Sequence, residues 1–125
     1  MPEHVGQVPH AQTAARKLES WHRDTVRQVA DAIGQHDVVV VGMAWNPHVP
    51  KARKALDEAG IAHFDLDLGN YTNMWKERLA VKLWAGWPTF PMVFVKGQLV
   101  GGNSDLRAGL EDGTVKALLG DEEAA

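Results

Sequence analysis

The 125-residue chain contains no cysteine. This absence excludes disulfide bonds, thiolate nucleophiles and thiolate metal ligands, because each of them needs a cysteine sulfur. Thiol–disulfide exchange proceeds by attack of a thiolate on a disulfide, so this chain cannot supply the attacking group.

Basic residues and long apolar runs are also scarce. The chain has 13 Lys and Arg against 16 Asp and Glu, a formal net charge of −3, so nucleic acid is not an expected partner. The longest apolar run, residues 38–45, is far shorter than the roughly 20 residues that cross a membrane. The N-terminus has no basic segment followed by an apolar one, as a secretory signal would. We therefore expect a cytoplasmic location without a membrane partner.

The length and the apolar content of 45% suit one domain with its own core. Residues 1–12 are polar and without periodicity, which predicts a flexible arm, and residues 121–125 form an acidic tail. Between them, residues 13–120 carry the patterns of one α/β domain.

The patterns between residues 13 and 120 alternate between helices and strands. Val38–Val41 is apolar at every position, which is typical of a strand covered on both faces, and Asn46-Pro47 is a strong helix start. A strand–helix–strand order with short loops predicts a right-handed βαβ unit. The predicted elements are a helix over 13–33, a strand over 38–43, a helix from Asn46 to Gly60, a strand over 61–68, a helix from Asn70 or Thr72 to Ala85, a hairpin over 91–102, and helices over 106–110 and 113–119. The helix that ends at Ala85 is predicted to carry Trp75, Leu79 and Leu83 on its apolar face.

Proline marks the start of the hairpin. Pro91 cannot donate a ladder hydrogen bond, so it belongs at the first residue of a strand. Two interpretations stay open from the local sequence. The Phe90–Pro91 bond is cis and turns the backbone of Phe90 towards a ligand, or the segment is a rigid loop before a core strand.

The hairpin sequence resembles that of the glutaredoxins. The likeness extends from about Asp37 to Leu119 and is carried by Gly86-Trp87-Pro88-Thr89-Phe90-Pro91, Val93-Phe94-Val95-Lys96-Gly97 and Leu99-Val100-Gly101-Gly102. The Trp-Pro-Thr form is most similar to the monothiol branch. The resemblance implies an α/β, thioredoxin-like fold of the glutaredoxin type, with a four-stranded mixed sheet flanked by helices, an extra N-terminal helix and a cis Pro91.

The resemblance places the family's active cysteine at Asn46, since Asn46-Pro47-His48-Val49 occupies the position of the active-site motif. Neither the dithiol nor the monothiol mechanism can operate without that cysteine. An iron–sulfur cluster is not expected either, because its cysteine ligand is missing. The sequence therefore predicts no catalytic residue, no metal ligand and no bound cofactor, with glutathione as an open possibility.

The resemblance also implies a glutathione groove. Phe90 takes the place of the residue whose backbone pairs with the peptide, while Arg78 and Lys82 are placed to meet one ligand carboxylate. Gly102, Asn103 and Ser104 take the places that hold the other ligand carboxylate. Two charged contacts of the family are absent, because Met43 replaces a lysine and Ser104 replaces an aspartate, although Asp105 follows. The groove either still binds glutathione, or it binds something else or nothing.

Other side chains have a functional and a structural interpretation. His48 lies at the rim of the predicted site and is an acid, base or ligand, or an exposed histidine without a role. Asp65 and Asp67 lie on the same face of a strand, where they either act as an acid–base pair or form the solvent-exposed side of that strand. Six histidines show no zinc-helix spacing, although His4 and His10 in the arm could bind adventitious metal. The tryptophans at 75, 84 and 87 are expected in the core or groove wall, with Trp87 partly exposed and able to stack on a ligand.

Three hypotheses of function follow. The first is a glutaredoxin-like protein without a redox cysteine, acting as a non-enzymatic binding or regulatory protein for glutathione, another small peptide or a protein partner. The second is an enzyme that activates the thiol of bound glutathione at the helix start near Asn46, where backbone N–H groups favour negative charge. The third is a purely structural interaction module.

Overall fold

The valine run forms β1 (Val38–Gly42), every residue of which is buried. In the computed structural model, which describes residues 9 and 11–120, β1 pairs in parallel with β2 (Phe64–Asp67). On its other side β1 pairs antiparallel with β3 (Met92–Val95), which pairs antiparallel with β4 (Gln98–Gly101). The sheet order β2-β1-β3-β4 confirms the expected four-stranded mixed sheet.

Six helices complete the described part of the chain: α1 (Gln12–Ser20), α2 (Arg23–Gln35), α3 (His48–Glu58), α4 (Trp75–Ala85), α5 (Asn103–Glu111) and α6 (Thr114–Leu118). Helices α2 and α4 cover one face of the sheet, where Val39 and Val41 pack with Val29 and Val81. Helices α3, α5 and α6 cover the other face, where the core contains Val38, Val40, Ala52, Leu56, Leu106 and Val115. The alternation of strand side chains between two apolar layers explains why β1 is apolar at every position.

Close packing joins β1 to α3. A Cβ added at Gly42 would lie 2.7 Å from the Val49 Cγ1 atom, so only glycine fits at the end of this strand. The first turn of α3 is thereby held against the sheet, directly after the short loop that contains Asn46.

The predicted N-terminal helix over 13–33 is wrong as a single helix. The backbone breaks at His22, whose φ of 48° is left-handed, and the two pieces are α1 and α2. Ser20 contributes to the break, because its hydroxyl donates to the Arg16 carbonyl oxygen over 3.0 Å and competes with helical hydrogen bonds at the end of α1.

The predicted apolar face of α4 is also wrong. Trp75 and Leu79 are 59% and 37% exposed, whereas Arg78, Ala80 and Val81 are buried. Trp84 is exposed as well, so of the three tryptophans expected in the core or groove wall only Trp87 is half-buried. The side of α4 that is buried is the one that packs on the sheet and on α2.

Several predicted boundaries move. Helix α4 begins at Trp75 because Asn70 Oδ1 accepts the Thr72 N–H in a turn of its own, instead of capping the helix. Strand β2 is shorter than the predicted 61–68, and α5 begins at Asn103 rather than 106. The predicted arm and acidic tail fall mainly on residues 1–8, 10 and 121–125, outside the described residues.

Across the described residues, no helix is long and apolar enough to cross a membrane.

Candidate functional site

The loop before α3, the segment before β3 and the start of α5 enclose a groove of about 440 Å³. Every predicted site residue except Arg78 lines this groove. Its lining residues are Met43, Asn46, His48, Tyr71, Lys82, Trp87, Pro88, Thr89, Phe90, Pro91, Gly102, Asn103, Ser104 and Asp105. The topology therefore brings together side chains that are almost 60 residues apart in the sequence.

Asn46 lies half-buried at the centre of the groove and uses both ends of its amide. Its Oδ1 accepts the His48 N–H over 2.9 Å, which satisfies one of the free donors at the start of α3. Its Nδ2 donates to the Phe90 carbonyl oxygen over 3.2 Å. The side chain thus links the helix start to the opposite wall of the groove.

Phe90 and Pro91 form that opposite wall. Both residues are buried, and the peptide bond between them is cis. Lys82 reaches the same wall from α4, with its Nζ 5.6 Å from the centre of the Phe90 ring. This cation–π contact places a positive charge at one end of the groove.

The start of α5 forms the other end of the groove. Gly101 has a φ of 128°, and a Cβ there would lie 2.5 Å from the Asp105 Oδ2 atom, so the turn needs glycine. Asp105 accepts the Gly102 N–H over 3.0 Å and holds the turn against the helix. The N–H groups of Asn103 and Ser104, in the first turn of α5, have no carbonyl partner within the helix and can attract an anion.

Two side-chain atoms of the groove lack a hydrogen-bond partner within the described part of the chain. They are the Trp87 indole nitrogen, a donor, and Asn103 Oδ1, an acceptor, and both atoms are buried. Burial of an unpaired polar group costs roughly 1–3 kcal/mol. Both atoms lie beneath the groove surface and destabilise this part of the fold unless the side chains turn towards a partner.

Arg78 is placed elsewhere, so its predicted role at a ligand carboxylate does not fit the geometry. Its side chain is buried, and Nη1 donates to the Leu68 carbonyl oxygen over 2.9 Å and to that of Asn73 over 2.6 Å. These bonds satisfy carbonyl groups at both ends of the loop before α4. Arg78 is therefore a structural residue of that loop.

Tyr71 is the groove residue that the sequence analysis missed. It is 59% exposed on the loop between β2 and α4. The available signal was the position of this loop, because ligands of α/β sheets often bind beyond the carboxyl ends of parallel strands. The other residues of the loop, Asn70, Thr72 and Asn73, are common turn residues, so the local sequence does not indicate a ligand-binding loop.

The aspartates of β2 belong to a separate charge network. Arg53 pairs with Asp67 over 2.6 Å and with Asp65 over 3.3 Å, so these carboxylates are more than the solvated side of a strand. His63 bridges two carboxylates, with Nδ1 2.7 Å from Asp65 and Nε2 2.8 Å from Asp57. Burial alone would lower the pKa of His63, but the hydrogen bonds to both carboxylates and their charges raise it.

A larger cavity of about 640 Å³ lies beside His63, at the opposite end of the sheet from Asn46. No predicted site residue lines it. Nowhere in residues 9 and 11–120 do three or more His, Asp or Glu side chains form a group suited to a metal ion. The groove at Asn46 is therefore the candidate site, because the predicted side chains converge there.

Comparison with known proteins agrees with the fold. The family model described as glutaredoxin matches residues 38–100. A glutaredoxin-like protein from Dictyostelium discoideum is 44% identical over 98 residues, which span 78% of this chain and 80% of that protein.

Solved glutaredoxin structures share the architecture. Oxidized glutaredoxin 2 from Chlamydomonas reinhardtii superposes with a TM-score of 0.67 at 25% identity, covering 83% of this chain and 98% of that one. A buckwheat glutaredoxin–glutathione complex superposes with a TM-score of 0.70 at 19% identity, covering 85% and 96% of the two chains. On the strength of the family match and the Dictyostelium relative, the chain belongs to the glutaredoxin family.

Proposed function

We propose that this protein is a non-catalytic binding protein whose groove holds a short peptide with a free amino-acid head at one end and a carboxylate at the other. Glutathione is the simplest member of this ligand class. The chain lacks the cysteine that redox chemistry needs, while the groove retains a group that attracts an anion at each of its two ends.

The observation that carries this proposal is the presence of an anion-attracting group at each end of the groove. The N–H groups of Asn103 and Ser104 have no carbonyl partner within α5, and the Lys82 Nζ lies 5.6 Å from the centre of the Phe90 ring. A helix N-terminus favours a carboxylate, as a lysine ammonium does. Together these groups suit a peptide with a carboxylate at each end, one of them on a free amino-acid head.

The opposite end of the groove suits a second anion. Lys82 provides a positive charge beside the Phe90 ring. A ligand carboxylate at this end can pair with the lysine. We expect a short peptide to reach from this end to the start of α5, and one structure with the same fold is a buckwheat glutaredoxin–glutathione complex.

The geometry of Asn46 favours binding over thiol chemistry. Activation of a ligand thiol needs free N–H groups at the start of α3, but the His48 N–H is already bonded to Asn46 Oδ1. The other end of the amide is engaged with Phe90. The hypothesis of an enzyme that uses the glutathione thiol therefore receives less support from this structure.

Calorimetric titration with reduced glutathione tests the proposal. We expect saturable binding with a Kd of about 1 mM or tighter, which corresponds to roughly −4 kcal/mol. Lys82→Gln should weaken binding by about 10- to 100-fold, since a charge-assisted contact contributes roughly 1.5–3 kcal/mol. Lys76→Gln is the matched control, because Lys76 lies on the same helix outside the groove lining.

Three results would contradict the proposal. They are the absence of heat and of NMR shifts at millimolar glutathione, an equal loss of affinity in the Lys82 and Lys76 variants, and reduction of a small disulfide by glutathione above the uncatalysed rate in the presence of the protein. The third result would show catalysis by this protein despite the absence of cysteine.

A further inference from the structure

Two exposed aromatic residues lie on neighbouring loops at the Asn46 part of the fold. Tyr71 lines the groove and is 59% exposed, whereas Trp45 is 66% exposed and directly precedes Asn46 in the chain, outside the groove lining. Their loops are joined by a hydrogen bond from the Ala44 N–H to the Gly69 carbonyl oxygen, over 2.8 Å. We name Trp45 and Tyr71 the aromatic rim.

The backbone of Trp45 is unusual. Its φ of 69° is in the left-handed region, which a bulky side chain rarely occupies. Such conformations are concentrated at ligand sites, where the surrounding structure maintains them. Here the conformation places a large aromatic residue in solvent at the position next to the centre of the groove. Tyr and Trp in this setting provide a large apolar contact surface with little conformational entropy to lose.

The charged ends of the groove determine which part of a ligand meets the aromatic rim. In the binding mode proposed above, the start of α5 holds the amino-acid head and Lys82 holds the far carboxylate. The central residue of a tripeptide then lies over Asn46. Each end of the Asn46 amide makes one hydrogen bond, and a thiol is only a weak partner for the remaining N–H and lone pair, so a free thiol on that residue gains little there.

We infer that the groove prefers peptides whose central side chain carries an apolar substituent on its sulfur, such as thioether derivatives of glutathione, over the free thiol. The substituent extends past Asn46 and packs on Trp45 and Tyr71. This inference rests on the proposed function. It involves no covalent step, because the protein has no thiol to exchange with the ligand.

Calorimetry with S-hexylglutathione and reduced glutathione tests the preference. The S-hexyl ligand should bind at least about 10-fold more tightly, because part of its alkyl chain leaves water. Trp45→Ala and Tyr71→Ala should each bring the ratio of the two affinities closer to one, and Trp45→Phe should preserve it. Trp75→Ala is the control, because Trp75 is as exposed as Tyr71 but neither lines the groove nor is next to Asn46 in the chain, and it should leave the ratio unchanged.

The outcomes separate this inference from the proposed function. Equal affinity for both ligands, or a preference that persists in both alanine variants, overturns the inference about the aromatic rim without contradicting the proposed binding of glutathione. Failure of both ligands to bind overturns the proposed function and the inference with it. Circular dichroism of each variant confirms that the fold is retained before affinities are compared.

Discussion

Asn46 Nδ2 donates a hydrogen bond to the carbonyl oxygen of Phe90, 44 positions further along the chain. The same amide accepts the His48 N–H through Oδ1. Asn46 is therefore a structural link between the start of α3 and the wall at Pro91. The two hydrogen bonds occupy one donor and one acceptor of the Asn46 amide, which a ligand therefore cannot use.

Replacing Asn46 tests this link. We expect Asn46→Ala to lower the free energy of unfolding by about 1–2 kcal/mol, since it removes a helix cap and a second hydrogen bond. Asn46→Asp should cost less, because a carboxylate still accepts the His48 N–H and interacts favourably with the helix dipole. Urea unfolding measures both variants. An alanine variant as stable as the original chain would show that neither bond contributes.

Asn46→Cys tests whether the site can still activate a thiol. This substitution removes the amide that accepts the His48 N–H, and the freed donor together with the helix dipole should lower the pKa of the introduced thiol below roughly 8.5, the value of an unperturbed cysteine. The pH dependence of alkylation measures this pKa, with Ala44→Cys as an exposed control outside the helix. Equal pKa values in the two variants would mean that the helix start has lost its activating effect.

Arg78→Met tests the structural role of the buried guanidinium. Two carbonyl groups lose their donor, so the free energy of unfolding should fall by about 2–4 kcal/mol. Lys76→Met on the exposed side of α4 should change it by less than about 0.5 kcal/mol. An Arg78 variant that is as stable as the original chain but binds the ligand more weakly would show that Arg78 contributes to ligand binding instead.

His63 should make stability depend on pH. Both ring nitrogens face carboxylates, and only the protonated ring can donate to both. The pKa of His63 is raised above its ordinary value of 6.5, so its stabilisation is complete below about pH 6.5 and is lost as pH rises through the folded-state pKa. NMR titration locates that pKa, and urea unfolding across the same range measures the loss. His63→Gln should remove this part of the pH dependence, and a folded-state pKa at or below 6.5 would contradict the prediction.

The sheet and most of the groove were predictable because their signals are local. Val38–Val41 could only be a covered strand, and Pro91 with Gly101-Gly102 marks the hairpin and the turn that face Asn46. The resemblance of this hairpin sequence to a known family then placed the candidate site at the helix start that Asn46-Pro47 predicts. Helix α3, with 11 residues, was predictable as one helix because Asn46-Pro47 marks its start and Gly60 marks its end.

The errors arose where tertiary contacts outweigh local pattern. Trp75 and Leu79 have the spacing of a buried stripe, but the packing of α4 on α2 selects the side that carries Arg78 and Val81. A buried arginine is also rare enough that a basic residue near a predicted anion site is naturally assigned to the ligand. His22 interrupts an otherwise continuous helical pattern through its backbone conformation, for which the sequence gives no glycine or proline signal.

The two hydrogen bonds of Arg78 anchor the backbone at Leu68 and at Asn73, on either side of Tyr71. Inside the loop, Asn70 and Thr72 hydrogen-bond to each other and hold its turn. The exposed residue between them, Tyr71, is therefore the position where a changed side chain alters the groove on an unchanged scaffold.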